Sequence, residues 1–120
     1  MTLILDIIYQ ATGEKYQPKN LNVYYNKNVT QTRGFHADSY GKGQIKSFIY
    51  LSEVLSTDKG PYCFIPGSSG NKELENINKH LASHSDRNKT DAFFFDPRKA
   101  YPILGKKGTM IISDQSGIHI

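Results

Sequence analysis

Two histidines and one aspartate are the best candidate metal ligands in this sequence. His36 and Asp38 are two residues apart in the stretch Gly34-Phe35-His36-Ala37-Asp38. In an extended segment alternate side chains point to the same face, so this imidazole and this carboxylate can share one metal ion. A third ligand must come from a distant part of the chain, and His119 in Gly117-Ile118-His119 is the candidate. The sequence therefore predicts a site of two histidines and one carboxylate.

Other residues with suitable chemistry have simpler structural interpretations. His80 and His84 lie four apart on a predicted helix, a spacing that can chelate zinc, but no third ligand is evident and a solvated helix face is favoured. Asp114 is an alternative carboxylate to Asp38, but we favour a role in a turn. Cys63 lies among aromatic residues with no second cysteine or base beside it, which predicts a buried structural thiol.

Composition predicts a small cytoplasmic protein with one domain over residues 1–120. The net charge is +4, but Lys and Arg are scattered among Asp and Glu, which argues against a nucleic-acid partner. The single cysteine cannot form an internal disulfide, which favours a reducing compartment. The apolar stretch Leu3–Tyr9 is short and contains Asp6, so we predict neither a signal peptide nor a membrane segment.

Short strands and two helices are predicted to position the candidate ligands. Apolar residues at helical spacing predict one helix over residues 2–11, ended by Gly13, and a second over Lys72–Ser85, capped by Asn71. Loops are predicted at Lys27–Thr32, 41–43 and 97–107. Strands are predicted at Leu21–Asn26, Arg33–Asp38, Ile45–Val54, Pro61–Pro66 and Thr109–Ser113, while Thr90–Phe95 is either a brief strand or a packed aromatic segment.

Many short strands separated by turn signals favour a mainly β sandwich or barrel, of which a jelly roll is one form. The first helix is then expected to cover a sheet. The second is expected to be a helical insertion between strands.

An ordered set of motifs resembles the phytanoyl-CoA dioxygenase family. The resemblance covers roughly residues 20 to 120 and depends on the order of separate motifs rather than on any one of them. The motifs are His36-Ala37-Asp38, then Tyr50-Leu51-Ser52-Glu53-Val54, then Asp58-Lys59-Gly60-Pro61, then Ile65-Pro66-Gly67-Ser68, and finally Gly105, Gly108, Thr109, Ser113-Asp114 and Gly117-Ile118-His119.

The resemblance implies a double-stranded β-helix, the cupin-type jelly roll, that holds Fe(II) through His36, Asp38 and His119. Three ligands on one octahedral face leave two positions for 2-oxoglutarate and one for dioxygen. The implied reaction hydroxylates a small organic substrate and converts 2-oxoglutarate to succinate and carbon dioxide. An intact Asp38 favours hydroxylation, because related halogenases lack this carboxylate. Asn22 and Tyr24 share a predicted strand face, and similar positions in the family contact the cosubstrate; the alternative is that they are polar residues of a sheet surface.

The chain departs from the family pattern at its C-terminus. Family members continue past the distal histidine into a final strand, with an Arg about ten residues on that binds the far carboxylate of 2-oxoglutarate. Because this sequence stops at Ile120, we expect an incomplete jelly roll with an exposed sheet edge that invites pairing, for example in a homo-oligomer. Arg33, Lys46 and Arg98 could substitute for the Arg, but solvated surface charges are the expected role.

Three explanations for this departure stay open. The sequence is a fragment, a catalytically impaired metal-binding or interaction module, or a chain completed by a neighbour.

Overall fold

Two units make up the chain, Met1–Thr32 and Arg33–Ile120. The computed structural model describes residues 2–27, 33–40 and 44–120. Most of the loop predicted at Lys27–Thr32 and the turn predicted at 41–43 therefore lie outside the described residues. The single domain predicted over residues 1–120 stays a prediction.

The first unit begins with helix α1, Thr2–Thr12, which confirms the predicted N-terminal helix. Gly13 ends it in the left-handed conformation, with φ 72°, where glycine has no Cβ to clash. The N–H of Gly13 donates to the carbonyl of Tyr9 at 2.8 Å, which satisfies one carbonyl of the last turn.

The strand predicted at Leu21–Asn26 is wrong. These residues have no regular secondary structure, and Leu21 and Tyr25 are 89% and 85% exposed. The alternation of apolar and polar residues predicts a strand only where a partner strand takes up the backbone N–H and C=O groups. No ladder forms at 21–26 among the described residues, so the pattern alone does not make a strand.

Helix α2 of the second unit spans Lys72–Ser83, which confirms the second predicted helix except for its last two residues. The side chain of Asn71 accepts a hydrogen bond from the Leu74 N–H at 3.0 Å and caps the helix as predicted. The buried face of α2 carries Asn78 and Ala82.

Asn78 attaches α2 to the segment that runs beside His36. Its amide nitrogen donates to the carbonyls of Leu74 and Phe94 at 3.0 and 2.9 Å, and its amide oxygen accepts from the N–H groups of Phe93 and Phe94 at 2.7 and 2.8 Å. These bonds use both the donor and the acceptor groups of the side-chain amide, which explains how a fully buried Asn is tolerated.

Two short antiparallel sheets lie in the second unit. Strand β1, Ile45–Ile49, pairs with β4, Met110–Asp114, and strand β2, Cys63–Phe64, pairs with β3, Tyr101–Pro102. Strands β1, β2 and β4 overlap the predicted strands, although β1 and β2 are shorter than predicted. β3 falls in a predicted loop.

Isolated bridges replace the remaining predicted strands. The strand expected over Arg33–Asp38 is reduced to His36, which bridges both Asp91 and His119. The segment Thr90–Phe95 is likewise a single bridge at Asp91 rather than a strand. Since His119 also bridges Phe64 of β2, the bridges join His36, His119 and β2 side by side.

The core of the second unit lies around the C-terminal segment. Gln115 is fully buried, Ile118 is 2% exposed and His119 is 5% exposed. One candidate ligand is therefore part of the core. The other buried residues described in this unit are Ala37, Val54, Pro61, Ile65, Ser68, Asn78, Ala82, Ile111 and Gly117.

The two sheets and the bridges do not by themselves define a closed β-helix, so the jelly roll stays a prediction. Among the described residues, neither helix has the length and apolar composition to cross a lipid bilayer.

Candidate metal centre

His36 and His119 face each other across a pair of antiparallel segments. The N–H of each donates to the carbonyl of the other, at 2.9 Å in both directions. Residues directly opposite in such a pair project their side chains to the same face of the sheet. The two imidazole rings accordingly lie 4.6 Å apart, centroid to centroid. The backbone pairing thus brings together two ligands that are far apart in sequence.

Both histidines present the same ring nitrogen to the centre of the site. Nδ1 of His36 lies 2.8 Å from the carbonyl oxygen of Gly34, and Nδ1 of His119 lies 2.9 Å from that of Gly117. A carbonyl oxygen only accepts hydrogen bonds, so each Nδ1 carries the proton and each neutral ring keeps a lone pair on Nε2. A partner on the other ring nitrogen is typical of histidines that bind metals.

Asp38 completes the group. Its Oδ1 lies 3.4 Å from Nε2 of His36, and its Oδ2 lies 3.8 Å from Nε2 of His119. One ligand atom from each of the three residues lies within 4.8 Å of the others. Ligands at right angles about 2.1 Å from one metal ion are about 3 Å apart, so small side-chain rotations bring these atoms to bonding distance.

The protonation states of two of the ligands suit a metal ion. Burial lowers the pKa of His119, which favours the neutral ring that coordinates. Burial alone would raise the pKa of Asp38, but the hydrogen bond and charge of Lys46 hold it below its usual value, as do the two histidines. An ionised carboxylate and neutral imidazoles form a donor set that divalent first-row metals, including Fe(II), accept.

Lys46 also lies at the candidate site, in contact with one of the candidate ligands. It lies on β1, and its ammonium group forms an ion pair with Oδ2 of Asp38 while the side chain stays 43% exposed. The expectation that Lys46 is a solvated surface charge is therefore wrong. Sequence periodicity places alternate residues of β1 on one face but does not show which side chains outside the strand that face meets.

Arg33 and Arg98 form ion pairs elsewhere. Arg33 pairs with Asp91 at 2.6 Å, and Arg98 pairs with Asp96 at 2.9 Å, with its own side chain 88% exposed. Neither arginine contacts Asp38 or the two histidines in these ion pairs.

A cavity of about 320 Å³ opens beside His119, within the size range of small-molecule sites. Its wall is mostly apolar and includes Phe64 and Ile111. A polar pair interrupts the wall, because the hydroxyl groups of Tyr62 and Ser113 are 2.7 Å apart. The remaining lining residues are Ile65, Pro66, Gly67, Ser68, Ser69, Ile103, Ile112, Asp114, Gly117 and Ile118.

Tyr62 connects this cavity to the candidate ligands. Its ring lies 5.6 Å from that of His119, and burial raises the pKa of its hydroxyl, which keeps it protonated. Gln115 donates to the same hydroxyl at 3.3 Å. Neither Tyr62 nor Gln115 could be assigned to the site from the sequence, since the place of each depends on pairing between distant segments.

The structure supports a turn role for Asp114. Its Oδ1 accepts from the Ser116 N–H at 2.9 Å and its Oδ2 from the Ser69 hydroxyl at 2.5 Å. These bonds shape the turn that leads to His119.

The ring centroids of His80 in α2 and of His84, the residue that follows the helix, lie 4.6 Å apart. No third ligand joins them in the described part of the chain. Cys63 is half-buried, and burial raises its pKa, which disfavours the reactive thiolate.

Asn22 and Tyr24 are exposed residues of the first unit, and their contact with a cosubstrate stays a prediction.

Comparison with protein-family models found no matching family. Comparison with curated proteins and with solved structures found no match either.

Proposed function

We propose that this chain is a non-haem Fe(II)- and 2-oxoglutarate-dependent oxygenase that hydroxylates a small organic substrate. The observation that carries the proposal is the convergence of the Nε2 atoms of His36 and His119 with the carboxylate of Asp38. Two imidazoles and one carboxylate on one face are the ligand set of non-haem Fe(II) oxygenases. The motif order that resembles the phytanoyl-CoA dioxygenase family supports the same reaction.

The proposed roles follow from the geometry of the site. His36, Asp38 and His119 would hold Fe(II), which when bound supplies the capacity to activate dioxygen with a 2-oxo acid. With only three protein ligands, the ion would keep room for the cosubstrate. The carbonyls of Gly34 and Gly117 fix both rings in the tautomer that coordinates, so the site is organised before any metal arrives.

The cavity beside His119 supports a small-molecule reactant. Its mostly apolar wall would suit a small organic molecule beside His119, and the hydroxyl pair of Tyr62 and Ser113 offers hydrogen bonds that would orient one polar group.

The alternative function is a metal-binding module that does not catalyse. The ion pairs of Arg33 with Asp91 and of Arg98 with Asp96 favour it, because each guanidinium is already paired with a carboxylate of the chain itself. This alternative predicts tight metal binding without binding of 2-oxoglutarate.

An anaerobic titration separates the two functions. Fe(II) is added to the purified chain, followed by 2-oxoglutarate, and the visible spectrum is recorded. The oxygenase predicts a metal-to-ligand charge-transfer band that an Asp38→Ala variant lacks. Bound iron without this band would reject the oxygenase and leave the metal-binding module.

A further inference from the structure

Lys46 occupies a position that is unusual for a cation, since it lies against a candidate ligand of a positive ion. Its ammonium group contacts Oδ2 of Asp38, which also lies 3.8 Å from Nε2 of His119. Oδ1 of the same carboxylate lies 3.4 Å from Nε2 of His36 and has no contact with Lys46 in this ion pair. The two oxygens of Asp38 therefore have different partners. Lys46 reaches this place from β1, where it is paired with Ser113 of β4.

We propose that Lys46 is a positioning residue with two effects, and the second of them rests on the proposed function. By holding Oδ2, Lys46 would leave Oδ1 as the oxygen of Asp38 that is available to a metal ion. By adding a positive charge beside the metal, it attracts a dianionic 2-oxo acid rather than a neutral or singly charged molecule.

The charges at the site support the second effect. Two neutral histidines, the Asp38 carboxylate, the Lys46 ammonium and a divalent metal ion sum to two positive charges. A 2-oxo acid with two carboxylates neutralises this sum, whereas a monocarboxylate leaves one positive charge in a partly buried site. Uncompensated charge is costly where water is scarce, so the dicarboxylate is preferred.

Removal of the Lys46 charge is then expected to change two affinities in opposite directions. The metal ion loses a like charge a few ångströms away and gains an unpaired carboxylate, so a Lys46→Met variant should bind Co(II) about tenfold more tightly. The metal-loaded variant should bind 2-oxoglutarate about tenfold more weakly, because the attraction for the dianion is reduced. A purely structural role would weaken both.

The test uses calorimetry under anaerobic conditions with Co(II) alone and then with 2-oxoglutarate on the Co(II)-loaded protein. Pyruvate serves as the monocarboxylate probe, and its affinity should fall less than that of 2-oxoglutarate. Lys46→Arg should restore affinity for 2-oxoglutarate toward that of the wild type, since it keeps the charge. Thermal unfolding of each variant checks that the fold is intact.

Lys79→Met is the matched control. Lys79 also forms an ion pair with a carboxylate, Glu75 at 2.5 Å, but on α2, and neither is a candidate ligand. Its removal changes the net charge equally and should change neither affinity. If Lys46→Met leaves both affinities as in the wild type, or lowers both, the proposal is overturned.

Failure of the proposed function gives a different result. Wild-type protein would then bind Co(II) but not 2-oxoglutarate. In that case the Co(II) affinity of Lys46→Met still tests whether Lys46 restrains Asp38. A higher affinity than in the wild type supports this effect, and an unchanged affinity overturns it.

Discussion

The tripeptides Gly34-Phe35-His36 and Gly117-Ile118-His119 share a local conformation but differ in their surroundings. In each, the histidine ring donates through Nδ1 to the carbonyl two residues earlier, at 2.8 and 2.9 Å. The ring orientation is therefore set by a contact within three residues.

The surroundings of the second tripeptide are much tighter. Ile118 is 2% exposed, and its N–H donates to the hydroxyl of Ser68 at 2.8 Å, which in turn donates to the carbonyl of Ile65 at 2.6 Å. Phe35 in the first tripeptide is only half-buried. The comparison leads us to expect that His119 is the fixed half of the candidate site and that His36 has more freedom to move, although the next residue, Ala37, is fully buried.

Removal of either ring should have the largest effect on metal binding. His36→Ala and His119→Ala should each weaken Co(II) binding by on the order of 100-fold or more, because two ligands hold a metal far less tightly than three. Only His119→Ala should also lower the free energy of unfolding by about 2–3 kcal/mol, since it leaves a cavity in the core. Calorimetry and chemical denaturation measure the two quantities.

His84→Ala is the control for these variants, because His84 is exposed on the surface and outside the candidate site. It should keep both the metal affinity and the stability of the wild type. A larger stability loss in His36→Ala than in His119→Ala would reverse the assignment of the fixed half.

The two glycines provide the next test. A Cβ at Gly117 would lie 3.2 Å from Oγ of Ser68 and 3.3 Å from Cβ of Ser69. A Cβ at Gly34 would meet nothing within 4 Å. Neither glycine has a positive φ, so alanine introduces no backbone strain at either position. Gly117→Ala should therefore lower the free energy of unfolding by about 1–2 kcal/mol.

Gly34→Ala is the matched substitution and should leave stability unchanged or raise it by up to about 1 kcal/mol. Denaturant midpoints of the two variants give the comparison. Equal losses would show that the two tripeptides are equally constrained.

The sequence alone was sufficient to select the candidate ligands. His36 and Asp38 follow from a spacing of two, and His119 follows from the motif order, and the structure brings all three together. Both helices could also be predicted, because their periodicity and the signals at Gly13 and Asn71 are local.

The strands and the contacts around the candidate site could not be predicted in the same way, because they depend on how separate segments pair. Leu21–Asn26 has the alternation of a strand but forms none, while His36 lies in a bridge rather than in the expected strand. Lys46 is only eight residues from Asp38, but their contact depends on how the chain turns between them. Side-chain alternation specifies a face, and the register that decides which faces meet is a property of the whole fold.

Acidification of the metal-free protein is expected to have a smaller effect on its free energy of unfolding. Burial lowers the pKa of His119 below the value near 6.5 that an unfolded chain has, so the unfolded state binds more protons between these two values. Stability should therefore be full above pH 6.5 and fall as the pH drops below it, by less than about 1.4 kcal/mol per pH unit for one proton. Denaturation at a series of pH values measures this slope. His119→Gln should flatten this slope, because it removes the titrating ring. An unchanged slope in that variant would show that a group other than His119 causes the pH dependence.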